Sequence, residues 1–319
     1  MIILLPLALL PLSISQPGPQ VRVAVSIPSL GLIASEVGGS RVEVYSLLPE
    51  GAEPHSFQLT AKTVSEALEA DVVMITGPGH CPFEDELYES LRGEVRFLTF
   101  EDYEEHGCRL KAFADVGLNI HGYWLDPENA LAVAEAICEV LCEVDPGGEE
   151  YYRARVEAFS EKVSELASLK PLKGLRAVAS KPVEAYMCEA LGLEVVAFVS
   201  AGDGSPTGVR DMYELYGRLE DDVDVLVVSD ASRWSRVGVF MEQLSRDTGV
   251  PVLELRVLSG GFEGYTDMLR WNVDHSGKAV ETEGARRPAG PVVASTVVAS
   301  ASTLLSAAMY LRGRRFGRG

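Results

Sequence analysis

Basic residues are scarce in this chain. Its 319 residues include 28 Lys and Arg against 47 Asp and Glu, a net charge of −19. Nucleic-acid binding rests on Lys and Arg neutralising phosphates, so this balance excludes a nucleic-acid partner. The acidic surplus keeps a surface solvated and attracts cations only diffusely, so it does not by itself specify a metal site. Hydrolytic and phosphate-binding motifs are missing too: there is no HExxH, no GxSxG elbow and no Gly-rich phosphate loop. The five cysteines, Cys81, Cys108, Cys138, Cys142 and Cys188, are an odd number. In an exported chain that count allows one disulfide without saying which. Cys138 and Cys142 stand four apart in a helical pattern and read as small buried hydrophobes.

Long apolar runs occur only at the two ends. Met1 to Ile14 is almost continuously apolar, and Ser15, Gln16, Pro17 and Gly18 then break the pattern. Residues 1–17 therefore read as a signal-like segment. Pro291 to Leu311 carries no charge and has about the ~20 residues that a membrane-spanning helix needs. Arg312, Arg314, Arg315 and Arg318 follow it, against Arg286 and Arg287 before it. By the positive-inside tendency, residues 291–311 are expected to anchor the chain, with a basic cytoplasmic tail at 312–319 and the rest of the chain outside.

Between the ends, strand and helix patterns alternate. Val21 to Ser26, Val42 to Leu48 and Asp71 to Ile75 read as strands, with helices at Ile27 to Val37, Thr60 to Ala70 and Glu84 to Leu91 between and after them. Asp126 and Pro127 start a helix that runs to Val144. After Asp145-Pro146-Gly147-Gly148, Glu149 to Leu169 is a long charged helix with a narrow apolar stripe, suited to running between two lobes. A second series follows, with strands at Leu175 to Ser180, Glu194 to Val199, Val223 to Ser229 and Pro251 to Val257. Its helices are expected at Pro182 to Leu191, Thr207 to Leu219, Val237 to Thr248 and Tyr265 to Val273. The fold class is α/β: two Rossmann-like lobes with parallel sheets, at 18–148 and 173–275, joined by one rigid helix at 149–172. A polar linker at 276–290 leads to the anchor.

Histidine is rare enough that its placement is informative. Of the five, His55 lies in Pro49-Glu50-Gly51-Ala52-Glu53-Pro54-His55, after a strand and before a helix. His121 lies in His121-Gly122-Tyr123-Trp124-Leu125-Asp126-Pro127, just before a helix start. Ligands of open α/β sheets bind outside the carboxyl ends of strands, where both loops should open. Neutral imidazole suits zinc and similar ions.

These segments resemble the zinc- and manganese-binding solute receptors of ABC importers. The stretch LLPEGAEPHSFQLTAKTVSEALEADVVMITG is similar to the loop that supplies the family's first ligand. IHGYWLDP is similar to the segment of the second ligand, with one residue inserted between His121 and Trp124, and TDMLRWNVD resembles the final helix. The likeness covers roughly Val21 to Asp274. It implies a divalent metal ion, zinc or manganese, carried as the transported ligand with no organic cofactor. It also implies an ABC permease and ATPase as partners, and no enzymatic activity.

The resemblance is incomplete at the third and fourth ligands. Lys181 stands at the third position, where the family commonly has His or Glu, and an ammonium group has no lone pair for a metal. Glu254 in PVLEL is the nearest equivalent of the fourth. Glu184, three residues beyond Lys181, and His80 in GPGHCPF are candidate substitutes, although each reads more simply as an ordinary polar surface residue. Two other readings stay open: Lys181 anchoring an anionic ligand or metal chelate, and a chelatase-like enzyme with histidine in an interlobe cleft. In the metal reading, His55 and His121 face each other across the cleft and Glu254 closes the site from the second lobe.

Overall fold

The computed structural model describes residues 21–49, 51–77, 79–113, 116–200 and 223–284. The signal-like segment, the expected helix at 207–219, the anchor at 291–311 and the tail at 312–319 lie outside them. Among the described residues no helix is long and apolar enough to cross a membrane.

Two four-stranded parallel sheets form the frame. In the first, β1 (Val21–Val25), β2 (Val42–Ser46), β3 (Val72–Met74) and β4 (Arg96–Leu98) run in the order β2-β1-β3-β4. In the second, β7 (Arg176–Ala179), β8 (Glu194–Phe198), β9 (Val225–Ser229) and β10 (Val252–Leu255) run β10-β9-β7-β8. The central strands β3 and β9 are buried along their whole length. Their continuous apolar runs suit a parallel sheet covered by helices on both faces. Each order reverses beside its first strand, which places a ligand crevice at the carboxyl ends of β1 and β3, and of β7 and β9. A two-stranded hairpin, β5 (Ala112–Phe113) and β6 (Gly117–Leu118), completes the strands described.

The helices of the first lobe are α1 (Pro28–Gly38), α2 (Ala61–Leu68), α3 (Pro82–Leu91), α4 (Phe100–Glu105) and α5 (Pro127–Val144). The start of α5 is as the sequence implies: the Asp126 carboxylate accepts from Glu128 N and Asn129 N, and Pro127 fills the first turn. Helix α6 (Glu149–Leu169) buries Tyr152, Val156, Phe159, Val163 and Leu166, a stripe spaced three and four residues apart. That stripe belongs to one apolar core that includes Val23 and Leu30 from the first sheet's side and Tyr186 and Leu253 from the second. Helix α6 thus packs into a core to which both sheets contribute.

The second lobe adds α7 (Ala185–Ala190), α8 (Arg236–Thr248) and α9 (Tyr265–Gly284). Helix α9 runs well past Val273, into the first part of the segment expected to be linker, as far as Gly284. Lys278 to Glu283 are mostly good helix formers, and Gly277 costs a helix only about 1 kcal/mol. Polar contacts also cross between the lobes. Tyr265 Oη donates to Leu125 O (2.8 Å) and Asn119 Nδ2 to Pro182 O (2.8 Å). The Glu36 carboxylate accepts from Thr266 N (2.8 Å) at the start of α9, where an anion complements the helix dipole. All five cysteines are free thiols, so the disulfide allowed by the count does not form; Cys138 is buried, as read, whereas Cys142 is only half-buried.

Candidate metal centre

Three loops of the first lobe bring His55, His80 and His121 together. Their ring centroids are 5.3 to 5.4 Å apart and their planes cross at 65° to 67°, close to a threefold arrangement. One ligand nitrogen from each lies within 4.8 Å of the other two, and among the described residues this is the one such group of His, Cys, Asp or Glu. Three nitrogens that each sit at about 2.0–2.1 Å from one tetrahedral zinc lie about 3.4 Å apart, so small side-chain rotations close the set.

Each histidine is placed by its own local structure. His80 follows β3 in a turn closed by its N–H on Gly77 O (3.2 Å). Gly77 has φ +86°, and a Cβ there would stand 2.4 Å from Phe100 Cβ, so only glycine fits. His121 is held by its N–H on Asn119 Oδ1 (2.9 Å). Gly122, next to it, has φ +75° and passes under the second lobe, where a Cβ would meet Val183 O at 2.6 Å. The left-handed turn at Gly122 thus lets the histidine loop pack on the other lobe. His55, the most exposed of the three, places Nδ1 2.9 Å from His80 O. A carbonyl only accepts, so Nδ1 carries the proton and Nε2 keeps its lone pair.

Burial pulls the His80 pKa down to about 3, with His121 and His55 adding to it. Burial also lowers His121 to about 4, again assisted by His55. Both rings are neutral at pH 7 and offer lone pairs. The Trp124 ring meets His80 edge-on at 5.2 Å and walls the site on that side.

The remaining sequence candidates fall elsewhere. His80 is no surface residue: it is 5% exposed and is the third member of the cluster. Glu184 is fully buried too, but as a structural knot. Its carboxylate accepts from Ser180 N and Oγ, Lys181 N, Ser229 Oγ and Ser232 Oγ, at 2.6 to 3.1 Å. Those donors tie the ends of β7 and β9 together and leave no lone pair for an ion. Glu254 pairs with Arg233 and, at 3.6 Å, with Arg256, so two guanidinium groups already neutralise it. Lys181 reaches Ala231 O at 3.5 Å. His55 and His121 thus stand side by side in one lobe, not across the cleft, and the described residues of the second lobe add no ligand to the group.

Two parallel α/β lobes pack on one long helix, and three imidazoles gather in loops of the first lobe with the spacing of a metal-ligand group. The chain belongs to the family described as zinc-uptake complex component A, periplasmic, whose profile matches residues 23–279. Among similar proteins is the manganese-binding lipoprotein MntA of Halalkalibacterium halodurans, 28% identical over 279 residues, covering 82% of this chain and 88% of the relative. Another is the high-affinity zinc uptake system protein ZnuA of Paracoccus denitrificans, 27% identical over 249 residues, covering 66% and 76%. Among solved structures, the solute-binding protein FpvC of Pseudomonas aeruginosa in complex with Mn2+ has the same fold. It superposes with a TM-score of 0.69 at 22% identity, over 82% of this chain and 99% of that one.

Proposed function

We propose that this protein captures a divalent transition-metal ion outside the cytoplasm, at His55, His80 and His121, and delivers it to an ABC permease and ATPase. The observation that carries the reading is the convergence of three imidazoles from three separate loops. The family supports the transport role. The anchor in this reading is the charge-free segment 291–311.

The names of the relatives divide between manganese and zinc, but the donor set does not. Three nitrogens, with no carboxylate in the group among the described residues, suit zinc, whereas manganese favours oxygen ligands and stands lowest in the affinity order of first-row ions. Zinc is therefore the preferred cargo, with a fourth position left to water or another small ligand. Competition titration of the purified protein with a zinc-selective dye tests this. His55→Ala, His80→Ala and His121→Ala should each weaken zinc binding at least tenfold, and Glu254→Gln should change it less than about twofold. Unaltered binding in the histidine variants, or manganese held more tightly than zinc, refutes the reading. So does binding of a metal-free anion that Lys181→Ala abolishes.

A further inference from the structure

The geometry assigns Glu84 the role of a positioning residue for the metal: through Thr76 it decides which nitrogen of His80 carries the proton, and so presents Nε2 to the ion. The inference rests on the proposed three-histidine site and deepens it. Glu84 lies in the first turn of α3 and is 1% exposed. Its carboxylate reaches back to the loop after β3, accepting from Thr76 N at 2.9 Å and Gly77 N at 3.1 Å. Thr76 Oγ1 stands 2.8 and 2.7 Å from the two carboxylate oxygens. It is also 3.0 Å from His80 Nδ1.

The directions of these bonds follow from proton counting. Burial raises the Glu84 pKa, and the hydrogen bonds from Thr76 and Gly77 oppose that shift; with backbone N–H donors on both of its oxygens the carboxylate accepts, so the single hydroxyl hydrogen of Thr76 goes to Glu84. Thr76 Oγ1 can then meet His80 Nδ1 only as an acceptor, which places the ring proton on Nδ1. Cys81 Sγ lies 3.0 Å from the same nitrogen, but a thiol is a weak partner. Tyr123 Oη donates to Thr76 O at 2.8 Å and holds the loop in place. His80 O in turn accepts the Nδ1 proton of His55, so one short segment sets the tautomer of two ligands. Carboxylate groups acting behind a ligating histidine orient the ring and raise its basicity, and their loss costs metal affinity about 10–100-fold. Here the carboxylate acts through a hydroxyl.

Glu184 provides an internal control. It is a buried carboxylate with an equally dense set of donors, at the ends of β7 and β9, and no histidine is among its partners.

The test is Glu84→Gln, read by zinc titration and by 15N shifts of the imidazole nitrogens in zinc-free protein. A carboxamide donates to Thr76 Oγ1, which frees the hydroxyl hydrogen for His80 Nδ1 and moves the ring proton to Nε2. The expected result is a switch of the His80 tautomer and a loss of zinc affinity of about 10–100-fold. Thr76→Val should lose about tenfold in affinity and Thr76→Ser should retain it. Glu184→Gln should leave both tautomer and affinity as they are. An unchanged tautomer in Glu84→Gln, a Thr76→Val protein that binds like the parent, or an equal loss in Glu184→Gln overturns the inference. If His80→Ala itself leaves zinc binding intact, the three-histidine site fails and the inference falls with it. If His80→Ala abolishes tight binding while Glu84→Gln behaves like the parent, only the role of Glu84 falls.

Discussion

Acid should unfold the metal-free protein in a way that depends on His80. The side chain is 5% exposed, and its pKa in the fold is about 3 against an ordinary value of 6.5. A lowered histidine pKa means that the unfolded chain binds the proton more readily. The stability His80 confers is therefore complete above about pH 6.5 and is lost as pH falls toward 3. Between pH 7.5 and pH 4 the linkage integral for this shift amounts to about 3 kcal/mol. His121, lowered to about 4, acts in the same direction. His80→Gln keeps a polar side chain that never gains a charge, so it should cancel the His80 share. Urea unfolding with chelator present, at several pH values between 7.5 and 4, measures the difference directly. The carboxylates that titrate in this window are common to both proteins and drop out of the comparison. The parent should lose about 3 kcal/mol more than His80→Gln across the window. Parallel pH curves would refute the assignment of His80 as a buried neutral imidazole.

Two further substitutions probe the frame around the site. Glu184→Ala leaves the hydroxyls of Ser180, Ser229 and Ser232 without their shared acceptor; it should cost about 3 kcal/mol in denaturant unfolding while the protein still binds one zinc. Gly122→Ala forces a side chain onto a backbone at φ +75° and against Val183 O; it should cost about 2 kcal/mol and weaken zinc binding by displacing His121, as thermal unfolding and titration would show. A Gly122→Ala protein of parental stability would mean that the loop does not pack on the second lobe as described.

The alternation of strands and helices was legible because each parallel strand is a short apolar run bounded by turn residues. The start of α5 was legible from Asp126 and Pro127 alone. His55 and His121 stood out because their flanking motifs are local in sequence. His80 was harder to read. Its importance comes from burial against Trp124 and from the bond between its carbonyl and His55, both made by residues distant in the chain. The usable signal was its position, since GPGHCPF follows a central strand at the same sheet edge as the other loops. Glu254 misled for the opposite reason. Its place on a strand of the second sheet suggested a ligand, but Arg233, from the loop after β9, already neutralises it. Glu184 looked like a surface carboxylate because the serines that bury it lie on other segments, up to 48 residues away.

X-ray absorption at the zinc edge, on the loaded protein and on His80→Gln, tests the central claim most directly. The account predicts three imidazole nitrogens at about 2.0–2.1 Å in the parent and two in the variant. Two imidazoles in the parent, or a spectrum that His80→Gln does not change, would contradict it.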